Sequence, residues 1–303
     1  ADQPELRILH VAALDSAVSG PRSLARMQHR VLGGTRRLVG AAVSAELRCP
    51  IWVVTRDGQQ VTDADVVAPE QSCLWGFWRA ASLETPQLWG GLADLSSTGP
   101  DQWSSLIDQI VAPADSGRRE DQLAMRDDTA YVPRLIRRAG EPNPTPLALR
   151  DDATYLVTGG LGSIGLETAA FLAAHGARQL VLTGRHAPGD TAQQRIDAVR
   201  EQYGCAVRAI AADVADAHDV ARLLATVQTE LPPLAGIVHA AGEIATHPLG
   251  VLDAESHQAE IDRVFAGKVW GAWQLSEATA DLALDFFVCT SSIASVWGGF
   301  GQS

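Results

Sequence analysis

Cysteine is scarce in this chain, and its four copies are scattered. Cys49, Cys73, Cys205 and Cys289 form no C-x-x-C pair and share no metal-ligand spacing. The sequence therefore predicts reduced, mostly buried thiols, a cytoplasmic protein and no metal site. No apolar run reaches the roughly 18–20 residues that a membrane helix needs, which argues against a membrane partner. No basic-then-apolar segment opens the chain, so no secretion signal is read. The start, Ala1-Asp2-Gln3-Pro4, lacks an initiator Met and reads as an arbitrary cut. Positive charge is in deficit: 24 Lys and Arg stand against 36 Asp and Glu, a net −12. That balance argues against a nucleic-acid partner. The eight histidines are dispersed, each read as a surface or packed residue. The 303 residues, 46% hydrophobic and 20% charged, have a globular composition and the length for two ordinary domains.

Against this background one stretch carries chemistry. Tyr155 to Val157 is a short apolar run that feeds Thr158-Gly-Gly-Leu-Gly-Ser-Ile-Gly165, with glycines 160, 162 and 165 in G-x-G-x-x-G spacing. A helix is expected over Leu166–His175. Gly160 is expected to permit the tight turn, Gly162 to let backbone approach a pyrophosphate, and Gly165 to let helix pack on strand. The helix N-terminus then offers free N–H groups and partial positive charge to phosphate. Strand, turn and helix stand in the order a dinucleotide site requires.

The seam at residues 139–153 holds three prolines within six residues and reads as an extended linker. Residues 154–303 alternate strands and helices. Strands are expected at Thr154–Val157, Gln179–Thr183, Ala206–Ala211, Gly236–His239 and Phe286–Thr290. Helices are expected at Thr191–Tyr203, His218–Glu230 and Ile261–Ala280. This pattern predicts a doubly wound parallel sheet with helices on both faces. Residues 1–138 show the same α/β alternation more weakly. Strands are expected at Arg7–Ala12, Ile51–Thr55 and Gly90–Leu95, with one or two helices in Arg22–Ala45. No G-x-G-x-x-G occurs there, so this half is read as structural.

Further polar and small residues fall at expected strand ends. Arg185 follows the second strand, where an acid would accept from a ribose 2′-OH and an arginine suits a 2′-phosphate. The position predicts NADP over NAD. Asp213-Val214 follows the third strand, where the Asp either accepts from an adenine amino group or caps the next turn. Ala240, Ala241 and Gly242 follow the fourth strand, and small residues there let backbone approach a ligand. Lys268 lies between apolar stretches on the long helix, and Ser291-Ser292 follows the fifth strand.

Taken in order, these stretches resemble the ketoreductase domains of modular polyketide synthases, two-part members of the short-chain dehydrogenase/reductase superfamily. The carrying residues are Thr158–Gly165, Leu182-Thr-Gly-Arg185, His239-Ala-Ala-Gly242, Lys268-Val-Trp-Gly-Ala-Trp273 and Phe286–Ser295. Cys73-Leu-Trp-Gly-Phe-Trp-Arg79 and Pro86-Gln-Leu-Trp-Gly-Gly-Leu92 look like the family's structural subdomain. The resemblance covers nearly the whole chain. It implies two Rossmann-like subdomains, a structural one at 1–138 and a catalytic, NADPH-binding one at 154–303. The implied cofactor residues are Thr158, Gly160, Leu161, Gly162, Ser163, Ile164, Arg185, Asp213, Val214, Ala240, Ala241, Gly242 and Lys268.

The resemblance also implies a reaction. NADPH reduces the β-keto carbon of an acyl thioester held by phosphopantetheine on an acyl carrier protein, among neighbouring synthase domains. Ser292 matches the Ser that hydrogen-bonds the carbonyl oxygen, and Lys268 the Lys that supports proton relay. The family's proton-donating Tyr would lie two residues past Ser303, so the catalytic half is expected to be incomplete at its C-terminal end. A phenol of pKa about 10 needs a nearby cation to act as an acid near neutrality. One stereochemical group carries Leu-Asp-Asp just after Ala-Ala-Gly, whereas this chain has Ile244, Ala245 and Thr246. The other carries a Trp eight residues before the Tyr, where Trp297 falls, and Gln302 stands where one subgroup has His. The match implies an A-type reductase that yields an L-β-hydroxyl without handling an epimerised α-substituent. Two other readings compete: a non-catalytic reductase-like scaffold, and a short-chain reductase acting on a free small carbonyl compound. The intact glycine loop, Arg185, Lys268 and Ser292 weigh against the first, and residues 1–138 against the second.

Overall fold

A computed structural model of the chain describes residues 6–14, 20–111, 120–137, 149–249 and 254–302. The proline run of the expected linker lies outside the described residues. The chain divides into two compact units: Ala1–Ala139 with Ala245–Ile261 and Ser292–Ser303, and Gly140–Ile244 with Asp262–Ser291. Among the described residues each unit is built on a five-stranded sheet.

In the first unit the sheet order is β1 (Ile8–His10), β2 (Ile51–Arg56), β3 (Trp89–Leu95), β4 (Gln122–Arg126), β5 (Thr129–Tyr131). Pairing is parallel through β4, and β5 returns antiparallel. The expected strand at Ile51–Thr55 is β2, an inner strand paired on both sides, and its first five residues are buried, as parallel pairing with cover on both faces demands. Arg22–Ala45 is one helical rod: α1 (Pro21–Arg26), a π-helical turn (Met27–Leu32) and α2 (Gly33–Ser44). Two further helices are α3 (Ser72–Glu84) and α4 (Pro100–Val111). Leu106 and Ile110 of α4 pack against Trp52, Leu95 and Met125 of the sheet. The carboxyl ends of β2, β3 and β4 are closed by a polar cluster. Buried Asp94 accepts from Thr55 Oγ1 at 2.6 Å, Gly58 N–H at 2.8 Å and Arg126 Nη2 at 2.9 Å.

The second unit has the order β10 (Phe286–Cys289), β9 (Leu234–His239), β6 (Thr154–Thr158), β7 (Gln179–Gly184), β8 (Ala206–Ala211), parallel throughout. Its helices are α5 (Ser163–Ala174), α6 (Asp190–Tyr203), α7 (Ala217–Glu230), the C-terminal part of α8 (Ala254–Phe265) and α9 (Gly271–Ala278). Side chains alternate across β6. Tyr155 and Val157 join Leu172 and Ile196 on one face, while Leu156 joins Leu223 and Leu275 on the other. Each fully buried aliphatic side chain contributes about 1.5–3 kcal/mol. This is the doubly wound sheet the alternation predicts.

Two boundaries differ from the sequence reading in ways that matter for the site. α5 starts at Ser163, inside the glycine motif, because Gly162 with φ −86° and ψ 171° already serves as its N-cap. The helix expected over Ile261–Ala280 begins at Ala254, widens into a π-helical turn at Ala266–Trp270 and resumes as α9. The turn carries Gly267 and Lys268. Among the described residues no helix is long and apolar enough to cross a membrane.

Candidate active site

The strand order reverses beside β6, and a cleft of about 380 Å3 opens at the carboxyl ends of the second unit's strands. That is where doubly wound sheets bind ligands. Its walls bring together Gly159, Leu161, Gly162, Arg185, Asp213, Val214, Ala240, Ala241 and Gly242, residues from four separate loops.

The glycines divide the labour differently from the spacing argument. The left-handed turn falls on Gly159, with φ +62°, not on Gly160. A Cβ on Gly160 would lie 2.6 Å from the Val157 carbonyl oxygen and 2.8 Å from Leu182 Cβ, so Gly160 is needed for packing beneath the turn. A Cβ on Gly165 would overlap the Gly159 carbonyl, which fits the expected close approach of helix to strand. Gly162 meets nothing nearer than 3.4 Å and faces the cleft. No side chain caps α5, and the first N–H groups of a helix have no partner within it. The loop thus offers a bare, partly positive helix end to an anion.

Below the cleft, Thr158 and His239 form a buried pair. His239 Nε2 lies 2.9 Å from the Gly267 carbonyl and so must carry the proton, and Nδ1, 2.7 Å from Thr158 Oγ1, then accepts from the hydroxyl. Burial pushes the His239 pKa down, favouring the neutral ring. This pair ties β6 and β9 to the π-helical turn. Lys268 on that turn lays its stem on Gly242: a Cβ there would come within 2.7 Å of Lys268 Cγ. The smallness of Gly242 thus makes room for Lys268.

Arg185 lines the cleft and pairs with Glu243, Nη2 to Oε1 at 2.7 Å. Asp213 Oδ1 accepts from Ala215 N–H at 3.0 Å, so it caps its turn while also lining the cleft. Thr158 and Gly160 lie beneath the wall. Ser163 and Ile164 form the exposed first turn of α5. Glu243 and Arg263, which also line the cleft, were not singled out from sequence. The one signal for Glu243 is a charge placed directly after Ala240-Ala241-Gly242.

Residues 153–303 match the KR domain family, and residues 1–135 match the Rossmann fold domain of the polyketide synthase extender module SpnB. A solved A1-type ketoreductase is 31% identical with TM-score 0.79, over 99% of this chain and 73% of that one. The chain belongs to the ketoreductase family of modular polyketide synthases. A solved A-type ketoreductase from a modular polyketide synthase is 36% identical with TM-score 0.81, over 98% of this chain and 60% of that one. The polyketide synthase GfsA of Streptomyces halstedii is 34% identical over 273 residues, 89% of this chain but 4% of that synthase.

In this ketoreductase family member the remaining candidates fall in the first unit. Ser292 is exposed, and its Oγ accepts from Ala294 N–H at 3.2 Å, opening the short helix α10 (Ala294–Trp297). Trp297 is 54% exposed, and Gln302 is also exposed. α3 holds this segment. Arg79 Nη1 donates to the Ser295 carbonyl at 2.6 Å, and Gly298, with φ +80°, packs on the Arg79 carbonyl. Glu84 accepts from Gly301 N–H at 3.2 Å and from Leu249 N–H at 2.7 Å. All four cysteines are free thiols. Cys49 and Cys205 are buried, but Cys289 is exposed at the end of the edge strand β10. Among the described residues no cluster could hold a metal ion.

Proposed function

We propose that this chain contributes the cofactor cleft and part of the catalytic set for NADPH-dependent reduction of a β-ketoacyl thioester on an acyl carrier protein, giving an L-β-hydroxyacyl thioester. The observation that carries the proposal is Arg185, a cation where an NAD enzyme would place an acid, on the wall of a cleft with an uncapped helix N-terminus. The residues fit a phosphorylated dinucleotide. Gly159, Gly162 and Gly242 keep the walls bare, the N-terminus of α5 suits the pyrophosphate, and Arg185 suits the 2′-phosphate. Bound NADPH supplies the hydride.

The chain's own residues do the rest. Ser292 donates to the carbonyl oxygen as negative charge develops on it, a contact of the kind worth about 10²–10³ in rate. Lys268, with its stem fixed on Gly242, brings a cation that helps a phenol release its proton. Trp297 and Gln302 match the stereochemical positions, and the likeness to a solved A-type ketoreductase supports the L outcome. The first unit is read as structural, consistent with strand ends closed by Asp94 and Arg126. Neighbouring synthase domains are its partners.

The test is a fluorescence titration of the chain with NADPH and NADH. NADPH should bind more tightly, and Arg185→Ala should weaken it by about tenfold or more while leaving NADH unchanged. Equal affinities in the parent chain would overturn the assignment.

A further inference from the structure

Glu243 and Arg263 line the same cleft as Arg185. Glu243 stands in the loop after β9, next to Gly242, and is held from two sides: Oε1 by Arg185 Nη2 at 2.7 Å and Oε2 by Arg263 Nε at 3.2 Å. Arg185 comes from the end of β7 and Arg263 from α8, so one carboxylate joins two cations from separate elements across the mouth of the cleft. We infer that Glu243 sets how strongly the cleft takes a 2′-phosphorylated ribose, by changing partners between Arg185 and Arg263.

The inference rests on the NADPH reading of Arg185. A 2′-phosphate that takes the Nη2 edge of Arg185 displaces the Glu243 carboxylate held there, and a carboxylate left beside the same guanidinium repels the incoming dianion. Arg263 reduces that cost. It keeps Glu243 by the other oxygen, so the carboxylate leaves Arg185 without becoming an unpaired charge. Glu243 is then a competitor built into the site, and Arg263 is the place where the competitor is parked. The penalty falls only on ligands that carry the 2′-phosphate, because an unphosphorylated ribose leaves the Arg185–Glu243 pair intact. A cofactor so held binds less tightly and leaves faster than it would from Arg185 alone. All three side chains are at least one-third exposed, at 61% for Arg185, 34% for Glu243 and 50% for Arg263. The exchange therefore tunes affinity by a modest factor and is damped by salt.

The experiment is calorimetric titration of the whole chain, at low ionic strength, with adenosine 2′,5′-bisphosphate and with adenosine 5′-monophosphate. The proteins are the parent, Glu243→Gln, Arg263→Gln and the double variant, each checked for an unchanged circular dichroism spectrum. Glu243→Gln should tighten the bisphosphate by about two- to fivefold and leave the monophosphate unchanged. Arg263→Gln should weaken the bisphosphate by a similar factor. The double variant should match Glu243→Gln, because without the carboxylate Arg263 has nothing to hold. Unchanged or weaker bisphosphate binding in Glu243→Gln would overturn the inference. So would an Arg263→Gln loss that persists in the Glu243→Gln background, which would mean that Arg263 meets the phosphate itself. If the parent shows no preference for the bisphosphate, the NADPH reading fails, and the inference with it.

Discussion

Gly162 and Gly165 sit three residues apart in one turn, yet they answer to different demands. Gly165 has no room for a methyl group, because a Cβ would overlap the Gly159 carbonyl. Gly162 has room and an ordinary backbone conformation. Gly165→Ala should therefore destabilise the chain by about 1–3 kcal/mol, the range for overpacking a tight contact. Gly162→Ala should leave stability almost unchanged and weaken NADPH, since the added methyl group enters the cleft. Urea unfolding and cofactor titration of both variants separate the two roles, and a Gly162→Ala chain that unfolds early but binds normally would contradict the assignment. Sequence spacing located these glycines but misplaced the tight turn. The spacing marks where small residues stand, but it does not encode that Gly159 takes the positive φ and lies so close to Ala240 that a Cβ would fall 2.6 Å from its carbonyl oxygen. Glu243 was illegible for a related reason. Its partners Arg185 and Arg263 are distant in the chain, and only the sheet order brings them to one rim.

At the scale of elements, the strands of the second unit were legible because buried parallel strands read as apolar runs bounded by turns. The helix expected over Ile261–Ala280 was legible as a helix but not as a broken one. The π-helical turn at Ala266–Trp270 is accommodated by packing that periodicity does not encode: Gly267 against Gly242, and Gly271 against Val214 and His239. α3 and α4 were not assigned from sequence. The tryptophans and phenylalanine of α3 are spread over a broad buried surface, including Leu74, Trp75, Phe77 and Trp78, and this blurs a single apolar stripe. The end of α3 makes a specific demand. Glu84 stands at a helix C-terminus, where negative charge is disfavoured, and is offset by two backbone N–H donors, Leu249 and Gly301. Glu84→Ala should release both segments, seen as faster hydrogen exchange at those two amides, while the amides of β2 and β3 keep their protection. Unchanged exchange at Leu249 and Gly301 would show that Glu84 does not hold them.

At the scale of the whole molecule, the chain carries two α/β units whose strand ends are used in opposite ways. The first closes them with Asp94, Thr55 and Arg126, and the second leaves a cleft lined by glycines and crowned by Arg185. That contrast was partly legible, because only residues 154–303 hold G-x-G-x-x-G. The closing cluster was not, since its members come from three strands. The contiguity of the units was not legible either: residues 245–261 and 292–303 follow the linker but pack with the first unit, through contacts such as Glu84 to Leu249 and Arg79 to Ser295. The segment with Ser292, Trp297 and Gln302 is therefore supported by the first unit, while Lys268 and the cofactor cleft are supported by the second. The proposed function assigns both sets of residues to one stereospecific reduction. Its most direct test is chiral chromatography of the product formed from a β-ketoacyl thioester and NADPH by the synthase module that contains this chain. The expected product is an L-β-hydroxyacyl thioester that forms with NADPH, at a rate that falls by about 10² or more with Ser292→Ala. No reduction by the parent module, or a predominantly D product, would contradict it.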